Sequence, residues 1–271
     1  MHDSYHFQAG NSPLLISMPH VGTLIPDAIK VKMSNPGLQV PDTDWHLPRL
    51  YDMTAALGIS VLSARHSRYV IDLNRAPDDS SLYPGLSTTS LCPVDTFASD
   101  PIYLDGMAPE QEEIEHRVIQ YWQPYHQKLL QELERLRNLH GIAILWDAHS
   151  IASQVPRFFT GRLPDLNFGT ADGKSCDPSL QNALLTTLHN SGCGADYSYV
   201  FNGRFKGGFI TRHYGKPENA THAIQLEMSQ IIYMNEHAPY SYVPRLANRV
   251  QLLLHALLTT CQSWAQARHA N

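Results

Sequence analysis

The run GIAILW, residues 141–146, is apolar without alternation and continues directly into Asp147, Ala148, His149 and Ser150. A strand covered on one face alternates apolar and polar side chains, whereas an unbroken apolar run requires cover on both faces. This segment therefore belongs in the middle of a sheet with helices on either side. In open α/β sheets, ligands bind beyond the carboxyl ends of the strands. A doubly covered strand that ends in a carboxylate, an imidazole and a hydroxyl is built to deliver them there.

The rest of the chain suits that frame. Residues 13–19 (PLLISMP) read as a short buried strand reaching His20, and ISVLSA (59–64) and RYVIDL (68–73) read as two more. Further strands are expected near 197–202 and 222–228. Helices are expected over 43–57, stopped by Gly58, and over about 110–139, 178–190 and 244–267. Pro124 should kink or divide the second of these. In the last, Leu246, Val250, Leu253, Leu257, Cys261 and Trp264 recur at steps of three and four, a packing stripe. Residues 76–109 form a long irregular excursion rich in Pro, Ser, Thr and Asp. Strands alternating with helices predict a three-layer α/β/α arrangement around a central mixed sheet. At 271 residues and 43% apolar composition, a single catalytic domain over 1–271 suffices.

Charge and cysteine content exclude some classes. A formal charge of −5 argues against a dedicated nucleic-acid or anionic-membrane binder. The four cysteines, Cys92, Cys176, Cys193 and Cys261, form no CxxC pair, so neither a zinc ribbon nor a redox motif is expected. No apolar run approaches the ~20 residues of a membrane span, and no secretory leader is visible. The expectation is a cytoplasmic protein with reduced thiols. No GxSxG, GxGxxG or P-loop occurs.

Three of the expected strands end in polar side chains: PHVG with His20, IDLNR with Asn74 and Arg75, and WDAHS with Asp147 and His149. Catalytic zinc takes three protein ligands and leaves one position open. His20 and His149 can supply nitrogen. The oxygen can come from Asp147, two residues from His149 and so on the same strand face, or from Asp44. Asp147 equally suits orienting an imidazole from behind, and Asp44 equally suits a first-turn acid. Glu227, within THAIQLEMS, is either a general base in an apolar run or a solvated residue on an edge strand. Arg68, Arg75 and Arg212 suggest an anionic substrate, since guanidinium groups grip carboxylates through a planar fork; surface ion pairs are the alternative for each. Gly207 and Gly208 precede Arg212 in KGGFITRHYG, as a loop covering a ligand would require.

Taken together, PHVG, SRYVIDLNR, WDAHS, FKGGFITRHYG and IQLEMS resemble the N-formylglutamate amidohydrolase family from about residue 13 to 260. The resemblance implies a zinc-carboxypeptidase-like α/β/α fold, one Zn2+ per chain, and hydrolysis of N-formyl-L-glutamate to formate and glutamate in histidine degradation. An N-acyl-aspartate or other N-acyl-amino-acid deacylase is the related alternative, and a metal-free module binding an acidic metabolite is the non-enzymatic one. The expected partner is thus a small dicarboxylate N-formyl amino acid. Oligomeric state is left open. The resemblance also implies His20 and His149 as metal ligands, Glu227 as catalytic base and Arg68 as the group that polarises the scissile carbonyl. Asn74 and Arg75 would hold one substrate carboxylate and Arg212 the second. Zinc carboxypeptidases place a Glu three residues after the first metal His. Here that residue is Thr23, so the oxygen ligand must come from elsewhere, and Asp44 is preferred over Asp147.

Overall fold

The computed structural model describes residues 4–80, 88–192 and 194–269. Residues 81–87, within the irregular excursion, and Cys193 lie outside the described residues. Seven strands form one mixed sheet: β1 (Tyr5–Gln8), β2 (Leu14–Met18), β3 (Ser60–Ala64), β4 (Ala143–Ile151), β5 (Leu166–Gly169), β6 (Tyr199–Phe201) and β7 (Thr221–Ser229). Their spatial order is β1-β3-β2-β4-β7-β5-β6. The central strands β3, β2, β4 and β7 run parallel; β1 and β5 are antiparallel to their inner neighbours.

Side-chain alternation divides the core into two layers. Ile144, Trp146 and Ala148 face one side, where they meet α3 (Leu47–Leu50), α6 (Pro178–Asn190) and α8 (Pro244–His269). Ala143 and Leu145 face the other, packed on α5 (Gln123–His140) through Tyr125, Leu129, Leu133 and Leu136. The same division holds in β7, with Ile224, Leu226 and Met228 on the first side and Ala223 on the second. Trp146 is fully buried and donates its indole N–H to the Tyr51 hydroxyl at 3.0 Å, so its one polar atom is satisfied. The three-layer α/β/α expectation is met.

Two further helical segments precede the sheet's centre, α1 (Asp27–Lys30) and α2 (Asn35–Leu38). The helix expected over 110–139 is divided into α4 (Gln111–Arg117), a π turn (Val118–Trp122) and α5. The cause is Pro124. It lacks the N–H that would bond the Gln120 carbonyl, and the Ser4 hydroxyl donates to that carbonyl instead at 3.0 Å.

Three expectations are corrected. Residues 43–57 do not form one helix: His46 sits in the left-handed region (φ 64°), and Pro48 opens only the short α3. Residues 68–73 are not a strand. Both edges of β3 are already occupied, by β1 and β2. The segment therefore satisfies its backbone through turns such as Val70 N–H to Ser67 O at 2.9 Å, while Val70, Ile71 and Leu73 remain buried. Likewise the segment after Gly208 is no open loop but a short helix, α7 (Phe209–Tyr214), seated with Ile210 and Tyr214 inward. Among the described residues no helix is long and apolar enough to cross a membrane.

Candidate active site

Odd-numbered residues of β4 and β7 face α5 and α7, and the helices cover only their early parts. Beyond Leu145 and Ala223 that same face carries Asp147 and His149 on β4 and Gln225 and Glu227 on β7. The parallel register sets Asp147 beside Gln225 and His149 beside Glu227. Glu227 is thus on an inner strand, flanked by β4 and β5, which removes the edge-strand alternative. His20 follows β2 on the other side of β4. All of these ends converge on one cavity, lined also by Asp44, Arg68, Asp72, Asn74, Arg75, Arg204 and Gly208. The empty space there, with the open solvent at its mouth included, is about 710 Å³.

His20, Asp44 and His149 form a buried cluster whose candidate donor atoms all lie within 4.8 Å of one another. Each ring turns Nδ1 toward Asp44 Oδ2, His149 at 3.1 Å and His20 at 3.8 Å. Each Nε2 is backed by a different carboxylate, His20 by Asp72 at 2.7 Å and His149 by Asp147 at 3.2 Å. A carboxylate behind an imidazole fixes the ring; it raises the proton affinity of His149, whereas burial and then Arg68 leave His20 below its ordinary range. The geometry thus separates the two aspartates that the sequence left as rivals: Asp44 stands between the rings, Asp147 behind one of them. Two imidazole nitrogens and one carboxylate oxygen are a donor set suited to zinc.

The electrostatics point the same way. Burial lowers the proton affinity of His149, but Asp147 and Asp44 outweigh it and hold the ring protonated well above its ordinary range. Burial, with the Asp44 and Asp147 carboxylates, pushes Glu227 up to about 8 against the opposing His149 and Arg68. Burial would raise Asp72 too, yet His20 and then Arg68 keep it well below the usual carboxylate range. Arg68 donates to Asp72 Oδ2 at 2.7 Å. Four carboxylates crowd a buried space, and Asp147 Oδ1 has no hydrogen-bond partner among the described residues. A carboxylate oxygen left over behind two imidazoles and Asp44 is a setting that a divalent cation fits.

The Asn74 amide is held from several directions. Its Oδ1 accepts from Ile210 N–H at 2.8 Å, its Nδ2 donates to Asp147 Oδ2 at 3.5 Å, and its own N–H donates to Asp72 Oδ1 at 2.9 Å. A Cβ on Gly208 would come within 2.3 Å of Asn74 Nδ2, so only glycine allows α7 to approach this closely. Gly207 takes φ +112°, a conformation that side chains disfavour. Arg75 reaches Thr89 Oγ1 at 3.2 Å. Arg212 is not among the cavity-lining residues; its Nε donates to Gly207 O at 2.8 Å. Arg204 lines the cavity instead, with Nε on Phe158 O at 2.8 Å.

Sequence reasoning passed over Asp72, Gln225 and Arg204. Asp72 carried a readable signal, a lone carboxylate in the apolar run YVIDL, and Gln225 lies one strand period before Glu227. Arg204 carried none.

Known proteins resemble the chain over nearly its whole length. A curated N-formylglutamate deformylase of Pseudomonas aeruginosa is 47% identical over 272 residues, covering 100% of both chains. One of Pseudomonas putida is 48% identical, covering 97% of each. The crystal structure of N-formylglutamate amidohydrolase from Ralstonia eutropha shares the fold with TM-score 0.78 at 22% identity, covering 95% of this chain and 97% of that one. A profile described as N-formylglutamate amidohydrolase matches residues 12–234, and the chain belongs to that family.

Proposed function

We propose that this chain, acting as one catalytic unit over residues 1–271, hydrolyses the amide bond of N-formyl-L-glutamate, releasing formate and L-glutamate. The observation that carries this reading is a buried Glu227 facing the His20–Asp44–His149 cluster across a cavity that also holds three arginines. The full-length similarity to proteins named N-formylglutamate deformylase supports the choice of substrate.

His20, Asp44 and His149 would hold one zinc ion, which when bound supplies Lewis-acid polarisation and acidifies water in the site. Glu227 accepts a proton from the attacking water and delivers it to the amide nitrogen as the C–N bond breaks, so that the amine leaves neutral. The Arg68 guanidinium faces the oxygen on which charge develops. Asn74 and Arg75 hold the α-carboxylate through their amide and guanidinium donors. For the second carboxylate, Arg204 takes the place that the family resemblance implied for Arg212, because Arg204 lines the cavity and Arg212 does not. Buried, unpaired Cys92, Cys176 and Cys261 suit a reducing compartment, and we place the enzyme in the cytoplasm.

The test is a formate-release assay on N-formyl-L-glutamate beside parallel assays on N-acetyl-L-aspartate and a glutamyl peptide. Turnover should be confined to the formyl substrate, disappear with a chelator and return with zinc. Preference for the acetyl or peptide substrate, or turnover indifferent to chelation, would overturn the proposal.

A further inference from the structure

The loop carrying Asn74 and Arg75 has no strand partner, yet its two outer carbonyls are each fixed by a ring from the helix behind it. His126 Nε2 lies 2.9 Å from Leu73 O, and Trp122 Nε1 donates to Arg75 O at 3.0 Å. A carbonyl only accepts, so His126 Nε2 must carry the proton. Nδ1 then accepts from the Tyr214 hydroxyl at 2.9 Å, which fixes the tautomer. The two rings are four residues apart on one helical face and stack with centroids 3.6 Å apart. They stand where the π turn gives way to α5, a kind of irregularity found often at functional sites.

The same pair also anchors α7. Phe209 packs on Trp122 at 5.6 Å and on His126 at 5.5 Å, and Tyr214 stacks on His126 at 5.9 Å. α7 in turn grips Asn74, through Phe209 N–H to Asn74 O at 3.2 Å and Ile210 N–H to its side chain. His126 is buried and Trp122 half-buried, and the polar edge of such a ring usually takes a partner close by. Here both polar edges are aimed at the carbonyls that flank one residue of the site.

We propose that Trp122 and His126 are positioning residues, a stacked clamp that sets the direction of the Asn74 and Arg75 side chains and thereby the affinity for the substrate carboxylate. This rests on the function proposed above, in which that pair holds a carboxylate.

Trp122→Phe keeps a ring and removes only the N–H. It should fold with a melting temperature near that of wild type and raise KM for N-formyl-L-glutamate about fivefold, the equivalent of one hydrogen bond. kcat should stay within about twofold, since ground-state and transition-state binding weaken together. His126→Gln, which keeps a donor near Nε2 but loses the ring, should raise KM less than His126→Phe, and His126→Phe should match or exceed Trp122→Phe. Hydrogen exchange of the amides in 73–76, read on the protein without substrate, should quicken in Trp122→Phe. An unchanged KM, a fall in kcat alone, or unchanged exchange in that segment would overturn the clamp. If His126→Phe fails to fold, Trp122→Phe still decides. A wild-type protein that releases no formate would instead sink the functional proposal, and the exchange measurement would then decide the clamp by itself.

Discussion

A carboxyl group that keeps its proton up to about pH 8 cannot serve as a base at neutrality, and Glu227 is such a group in the protein alone. Burial and the Asp44 and Asp147 carboxylates put it there, so a cation beside Asp44 would bring it back toward the ionised form. Glu227→Gln removes the proposed base and leaves His20, Asp44 and His149 in place. It is expected to bind zinc stoichiometrically, by metal analysis, while turnover falls by roughly 10²- to 10⁴-fold. The arginines make a second test. Arg204→Gln should raise KM for N-formyl-L-glutamate about tenfold or more, as loss of a charged hydrogen bond does. It should leave N-formylglutamine, which lacks that charge, nearly unaffected, and Arg212→Gln should change neither. The reverse pattern in steady-state kinetics would return the second carboxylate to Arg212. His20, His149 and Glu227 could be singled out because each interrupts or ends an apolar segment, whereas Asp44 sits in the polar stretch PDTD and was reached only because Thr23 stands where a ligand Glu was expected. Arg204 was not, because an arginine in a polar loop looks like any surface residue until the fold turns it inward.

At the level of elements, length and periodicity decided what could be read. β4, β7, α6 and α8 are long, and their apolar patterns left little choice. β1 and β5, with four residues each, lack the length to show a pattern. Residues 68–73 have the composition of a strand, but strand formation needs a free neighbouring edge, which composition cannot report. One link between elements has a measurable acid dependence. His222 of β7 accepts the N–H of Asp177, the N-cap of α6, on Nδ1 at 3.1 Å. Burial, reinforced by Arg268 and opposed by Asp177, pushes the ring down to about 4. The unfolded chain therefore binds this proton more readily than the folded one. Stability from this residue is complete above about pH 6.5 and is lost as pH falls toward 4, at up to about 1.4 kcal/mol per pH unit. His222→Gln should flatten the decline of melting temperature over that window. An identical slope in the variant would remove His222 from the account.

The cluster joins parts of the chain that lie far apart in sequence: His20 beyond β2, Asp44 before α3, and His149 within β4. A cation bound there is held only by the folded molecule, so its binding free energy adds to folding. At a free concentration 100 times its Kd, it stabilises by about 2.7 kcal/mol. For a chain of this size, that is a rise in melting temperature of about 5 °C or more. Thermal-shift measurements with zinc and with chelator should show this rise in wild type and none in a His20→Ala/His149→Ala protein. The rise should also depend on pH in one direction. His149 is held protonated well above its ordinary range by Asp147 and Asp44, and the cation must displace that proton. The zinc-dependent rise should therefore be largest on the alkaline side and shrink as pH falls through neutrality. A rise that persists in the double variant would mean that zinc binds elsewhere, and one that ignores pH would mean that His149 is not a ligand.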